Sequence, residues 1–244
     1  DYLLERAWVE GAVRDDVLVS VADGRFTRVE WQQPVDAMAA VPVAGLTIPG
    51  LANAHSHAFH RALRGRTHGG EGSFWTWREQ MYERAAGLNP DSYHALARAT
   101  FGEMVLAGYT CVGEFHYVHH GPGGVPYDDP NAISAALVAA ADDAGIRLTL
   151  LDTCYLHGGI GKELDDVQLR FSDGDALSWA ARASDRDGLA GPTVRLGAAI
   201  HSIRAVEPAE MEIVAAWCAG RNAPLHAHLS EQPAENEQCA EFYG

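Results

Sequence analysis

Two histidines one residue apart, His55 and His57, close the stretch Leu46-Thr47-Ile48-Pro49-Gly50-Leu51-Ala52-Asn53-Ala54. On a strand, residues two apart point to the same face, so both imidazoles would aim into whatever that strand lines. On a helix the same pair would diverge by about 200°. Imidazole is the commonest metal-ligating side chain, and a strand end of this kind can present two ligands to one ion. A bare His-x-His also reads as two histidines in a polar loop. The apolar run before it, and a second group far downstream in His226-Ala227-His228-Leu229-Ser230-Glu231, favour the metal centre.

The elements that would carry these groups fall into two textures. Residues 1–45 form a small β-layer: a strand over 17–21, a hairpin signal at Asp23-Gly24 and a returning strand over 25–30. Such a layer is too short to be stable alone. From residue 46 onward, strand-like runs at 46–53, 109–116, 147–155, 194–202 and 224–230 alternate with helices. Asn89-Pro90 opens one helix and Gly108 stops it, Asp129-Pro130 opens another that Gly145 closes, and a third runs from Pro208 to Gly220. This alternation means a parallel sheet, either open and doubly wound or closed as a (β/α)8 barrel. Polar residues sit at the C-terminal end of every strand: His55 and His57, Glu114 and His116, Cys154 and Tyr155, His201, then His226 and His228. That distribution suits a barrel, whose strand ends share one mouth, and no G-x-G-x-x-G follows the first strand. The expected fold is α/β, a TIM-type (β/α)8 barrel truncated after about the fifth strand.

The bulk numbers narrow the partners. With 244 residues, 47% of them hydrophobic, the chain can bury a large core. A formal net charge of −15 argues against nucleic acid or an anionic membrane surface. Cys111, Cys154, Cys218 and Cys239 are widely spaced, as reduced cysteines of a cytoplasmic protein would be. No apolar run approaches the ~18 residues of a membrane span.

The two histidine groups together resemble the amidohydrolase superfamily of metal-dependent hydrolases, and within it the deaminase branch. The finer text is similar to the deiminases of N-formimino-L-glutamate in that branch. The similar stretches are Ala54-His55-Ser56-His57-Ala58-Phe59-His60-Arg61-Ala62-Leu63, Phe74-Trp75-Thr76-Trp77-Arg78-Glu79, Gly113-Glu114-Phe115-His116-Tyr117-Val118-His119-His120 and His201-Ser202-Ile203-Arg204-Ala205-Val206. The resemblance implies that residues 1–45 are the N-terminal part of a small β-sandwich domain. It implies that 46–244 are an incomplete metal-dependent hydrolase barrel, with one more histidine and a metal-binding aspartate lying beyond Gly244. The 244 residues alone are then expected to hold zinc weakly and to show no turnover.

The resemblance also implies roles. His55, His57 and His228 would bind one divalent metal ion, with Zn2+ expected, and Glu231 would move protons. Arg78, Tyr117, His201 and Arg204 would contact the substrate, and His60 joins them where many relatives carry glutamine. The binuclear relatives bridge their metals with a strand-four lysine, but the only lysine here is Lys162, after strand three, so one metal is expected. By position alone Arg78 reads as a helix-surface arginine, Tyr117 as a core aromatic, Trp75 and Trp77 as loop packing, and His119 and His120 as loop histidines. The implied reaction is hydrolysis of N-formimino-L-glutamate to N-formyl-L-glutamate and ammonia, as in histidine degradation. A small anionic dicarboxylate substrate needs local positive charge on an acidic protein, which arginine supplies with bidentate geometry. A homodimer is left open. Two alternatives stand beside this: a deaminase of a purine or other ring amine, and an inactive fragment or non-catalytic barrel.

Overall fold

The computed structural model describes residues 1–31, 39–65 and 74–244. The chain divides into two compact units, Asp1–Leu51 and Ala52–Gly244. The first contains β1 (Tyr2–Val9), β2 (Ala12–Ala22), β3 (Arg25–Glu30) and β4 (Val41–Thr47) in one sheet of order β3-β2-β1-β4. Both hairpins turn on a residue pair with positive φ: Glu10-Gly11 at 49° and 76°, and Asp23-Gly24 at 50° and 71°. Those values suit the twist of a two-residue hairpin. The second turn is the one expected from sequence. β4 pairs parallel with β1, so residues 46 and 47, expected in the first barrel strand, end this sheet instead.

A second sheet is built from β5 (Leu51–Ser56), β6 (Tyr109–His116), β7 (Arg147–Cys154), β8 (Val194–Ile200) and β9 (Leu225–Ala227), which lie in the second unit from Ala52 onward. Their order in the sheet is β5-β6-β7-β8-β9, and the β6–β7, β7–β8 and β8–β9 pairs are parallel. A sheet that follows chain order without reversing is the progression of a (β/α) barrel rather than a doubly wound sheet. It curls into a five-stranded half-barrel. Close approach of the first two strands depends on Gly113, where a Cβ would lie 2.8 Å from the Ala54 carbonyl oxygen.

Between the strands run α1 (Phe74–Ala86), α2 (Pro90–Leu106), α3 (Ala132–Ala144), α4 (Ala176–Ser184) and α5 (Pro208–Arg221), and α6 (Pro233–Tyr243) follows β9. Asn89 caps α2 through a reciprocal bond pair with Ser92, and Gly145 ends α3 in the left-handed conformation, both as the sequence predicts. α3 begins two residues later than expected, just after Asn131, and α5 ends at left-handed Asn222 rather than at Gly220. The core joins Tyr93, Ala97 and Phe101 of α2, Ile133 and Leu137 of α3, and Leu148, Leu150 and Leu151 of β7. Among the described residues, no helix is long and apolar enough to cross a membrane.

Candidate active site

His55 lies on β5, and His57 keeps extended backbone (φ −123°, ψ 93°) just before a 3-10 turn, Ala58–Leu63. The alternation of the strand therefore reaches both histidines. His228 follows β9, and its backbone N–H donates to the His201 carbonyl, extending the strand pairing by one step. The Nε2 atoms of His57 and His228 lie 3.1 Å apart, and those of His228 and His55 3.4 Å apart. Three nitrogens at about 2.0–2.1 Å from a tetrahedral ion would stand about 3.3 Å from one another.

The second layer of contacts fixes which nitrogen faces inward. His57 Nδ1 lies 2.8 Å from the Phe115 carbonyl, which can only accept, so Nδ1 carries the proton and Nε2 offers a lone pair. The His228 ring stacks on Phe115 at 4.2 Å with 17° between planes. Burial first, and then repulsion from neighbouring imidazoles, holds His57 well below the usual histidine range. Burial and His55 push His228 down to about 4. His55 is lowered by burial and by His226. Neutral imidazoles are the ligand form, and His55, His57 and His228 are the one group among the described residues placed to hold a metal ion. The donor set fits a single divalent ion.

A cavity of about 330 Å³ opens on these histidines. All nine residues singled out from sequence line it: His55, His57, His60, Arg78, Tyr117, His201, Arg204, His228 and Glu231. His60 Nε2 lies 2.9 Å from the Tyr117 hydroxyl, and burial pushes that imidazole down to about 3. His201 packs against Tyr155, with ring centroids 4.3 Å apart, and burial followed by His228 holds it neutral. Arg204 donates to Glu231 and, through Nε, lies 3.2 Å from Glu235 Oε2. Arg78 Nε donates to the Tyr82 hydroxyl at 2.7 Å. Trp77, expected to pack a loop, instead lies on α1 and lines the cavity. The side chain of Trp75 lies outside the described residues.

Two expectations change. Just after β6 the cavity meets Tyr117, while Phe115 stacks on His228 and meets His55 and His57 edge-on; Glu114 and His116, expected at the barrel mouth, are fully buried and do not line the cavity. Strand alternation sends them to the opposite face, one residue out of phase with the cavity side of β6. His226 likewise does not line the cavity. Tyr82, Tyr155 and Gln168 form a bonded group beside Arg78 that sequence reasoning left off the site. A tyrosine at a strand end was a visible signal for the second of them; Gln168 lies in a loop turn with no pattern to mark it.

The amidohydrolase family model matches residues 46–244. This chain belongs to the amidohydrolase family. It is 38% identical to formimidoylglutamate deiminase of Pseudomonas aeruginosa over 98% of this chain and 53% of that protein. It is 28% identical to 5-methylthioadenosine/S-adenosylhomocysteine deaminase of Natronomonas pharaonis, over 82% of this chain and 41% of that one. The crystal structure of an amidohydrolase from Brucella melitensis superposes with a TM-score of 0.88 at 33% identity, covering 99% of this chain and 54% of that one. This amidohydrolase chain thus spans about half the length of the curated relatives it matches. Members of the family typically bind a divalent metal ion, in keeping with the three convergent histidines.

Proposed function

We propose that the protein carrying this chain is a zinc-dependent deiminase that hydrolyses N-formimino-L-glutamate to N-formyl-L-glutamate and ammonia. The observation that carries the proposal is the lining of one cavity by a three-histidine ligand set and by two arginines, Arg78 and Arg204, in a chain of net charge −15. The 38% identity to a formimidoylglutamate deiminase supports the same substrate.

His55, His57 and His228 would hold a divalent ion, whose chemistry would be to make water acidic enough to give hydroxide at neutral pH. The remaining work falls to side chains. Glu231 stands at the cavity three residues beyond His228, where it takes the proton released by water and returns it to the departing nitrogen as ammonia. Arg204 holds the Glu231 carboxylate toward the cavity. A substrate carboxylate arriving there competes for the same guanidinium, which links binding of the dianion to release of the catalytic glutamate. His60 and His201, both kept neutral by burial, offer hydrogen bonds without adding charge.

Ammonia release by the full-length protein, assayed over formiminoglutamate and a set of purines, tests this. Glu231→Gln should abolish turnover and leave bound zinc nearly unchanged. The aromatic walls Trp77, Tyr82, Tyr117 and Tyr155 favour a second reading, a ring-amine deaminase. Turnover of a purine with none of formiminoglutamate would establish that second reading in place of the first.

A further inference from the structure

The hydrogen-bond bookkeeping around Gln168 fixes the direction of a chain of donors that ends in the cavity. Gln168 is 1% exposed. Its Oε1 accepts from the Asp165 backbone N–H at 2.8 Å, while its own N–H donates to Asp165 Oδ1 at 3.0 Å. This reciprocal pair leaves one orientation for the side-chain amide. Its two Nε2 hydrogens then go to two phenols, Tyr82 at 2.8 Å and Tyr155 at 2.9 Å. Space for this arrangement exists because residue 158 is glycine: a Cβ there would lie 2.8 Å from Gln168 Oε1 and 2.3 Å from the Glu163 carbonyl oxygen.

The phenols follow by counting. Tyr82 accepts from Gln168 Nε2 and from Arg78 Nε, which uses both of its lone pairs. Its own proton therefore goes to the Tyr155 oxygen, 3.4 Å away. Tyr155 accepts from Gln168 and from Tyr82, so its lone pairs are also taken and its O–H has to donate elsewhere. No acceptor for that proton exists among the described residues, and Tyr155 lines the cavity beside Arg78 and His201. A buried donor left unsatisfied costs free energy until a ligand supplies the acceptor.

We infer that Tyr155 is a substrate-binding residue whose hydroxyl, committed as a donor by Gln168 and Tyr82, pairs with Arg78 in one subsite for a carboxylate of the substrate. Gln168 and Tyr82 are positioning residues: they touch the ligand only through Tyr155 and Arg78. The subsite accepts anions and rejects groups that must themselves donate, so it separates a dicarboxylate from an amine-bearing ring. This inference rests on the proposed dicarboxylate substrate and assigns one of its two carboxylates.

The test uses the full-length, zinc-loaded protein, with KM and kcat for N-formimino-L-glutamate and a dissociation constant for glutarate. Tyr155→Phe removes the donated O–H, and with it the acceptor used by Gln168 and Tyr82. It should raise KM and the glutarate constant roughly 10- to 100-fold, the range of a hydrogen bond to a charged group, with kcat changed by less than about threefold. Gln168→Glu replaces the two donors with an acceptor, so both phenols turn their protons inward and Tyr155 shows the cavity a lone pair. It should reproduce the loss although Tyr155 is intact. The double variant should be no worse than either single one, because both changes remove the same donor. Unchanged KM in Tyr155→Phe, or losses that multiply in the double variant, overturns the inference while turnover by the wild type leaves the proposed function standing. A wild type that neither turns over formiminoglutamate nor binds glutarate overturns both.

Discussion

Two buried polar regions of the second unit use the same residue types to opposite ends. Between β7 and α4, Asp152 accepts from both terminal nitrogens of Arg182 at 2.9 Å and from Trp179 at 2.7 Å, and Asp173 accepts from Arg182 at 2.8 and 2.9 Å and from His120 at 2.9 Å. Burial alone would raise the Asp152 carboxyl, but Arg182, His119 and Arg186 outweigh it and hold the group well below the usual range. There, charges meet counter-charges. In the cavity, His55, His57, His60, His201 and His228 face mainly one another, and each is driven toward its neutral form by burial and then by a neighbouring imidazole. A buried polar cluster that balances its own charges holds the fold together. One that gathers lone pairs around a common point has work only when a cation arrives.

The difference predicts which changes break the fold and which break only the site. Asp152→Ala leaves Arg186 without its anion and Arg182 with Asp173 alone, and both arginines are almost wholly buried. Removing one partner of a buried ion pair costs about 3–5 kcal/mol, and urea unfolding of the full-length variant should show a loss of that size with or without metal. Retention of wild-type stability would mean that water or rearrangement replaces the anion, and the contrast between the regions would collapse.

Stripping the metal is the converse experiment. A ligand that binds only the folded state at 100 times its dissociation constant stabilises it by about 2.7 kcal/mol. Wild type should lose about that much in chelator, and Asp152→Ala should lose the same increment from its lower starting point. His228→Ala should show almost no further loss, since its ligand set is already broken. A variant lacking His228 that still gains stability from zinc would place the ion elsewhere.

How much of this could be read from the chain follows from the same contrast. The metal histidines were legible because a strand's period of two is a local rule, and His55 and His57 obey it. The alternation of strands and helices gave the barrel progression for a similar reason. The phase of β6 was not legible: Glu114 and His116 looked like mouth residues, yet it is Phe115 that stacks on His228. Deciding which face of a strand is inward requires its neighbours on both sides, and β6 lies between β5 and β7. Arg78 read as a surface arginine until α1 carried it to Tyr82. Its setting depends on Gln168, 90 residues away in the chain, and no spacing rule reaches that far. Arg204 was legible as a cavity cation, but its pairing with Glu231 and Glu235 depends on how α6 follows β9.

Glu114 supplies the smallest test, because it shares features of both regions. It is buried like Asp152, but its neighbours are the Ala58 N–H, 2.6 Å from Oε1, and the Ser56 side chain, while Oε2 has no hydrogen-bond partner. With no cation beside it, burial pushes its carboxyl from an ordinary value near 4.5 up to about 8. The sign follows directly. Between those two values the folded chain keeps a proton that the unfolded chain releases, so the contribution of Glu114 to stability is full below about pH 4.5 and is lost as pH rises toward 8. Glutamine has the shape of the protonated acid and does not titrate. Relative to Glu114→Gln, wild type should therefore lose stability from pH 6 to pH 7, by at most about 1.4 kcal/mol for one proton. Comparing urea midpoints of the two proteins at both pH values isolates this group from the histidines, which titrate in each. Parallel midpoints would show that Glu114 is ionised in the fold, with a counter-charge as in the Asp152 cluster, and the division between self-satisfied and unsatisfied polar regions would have to be redrawn around β6.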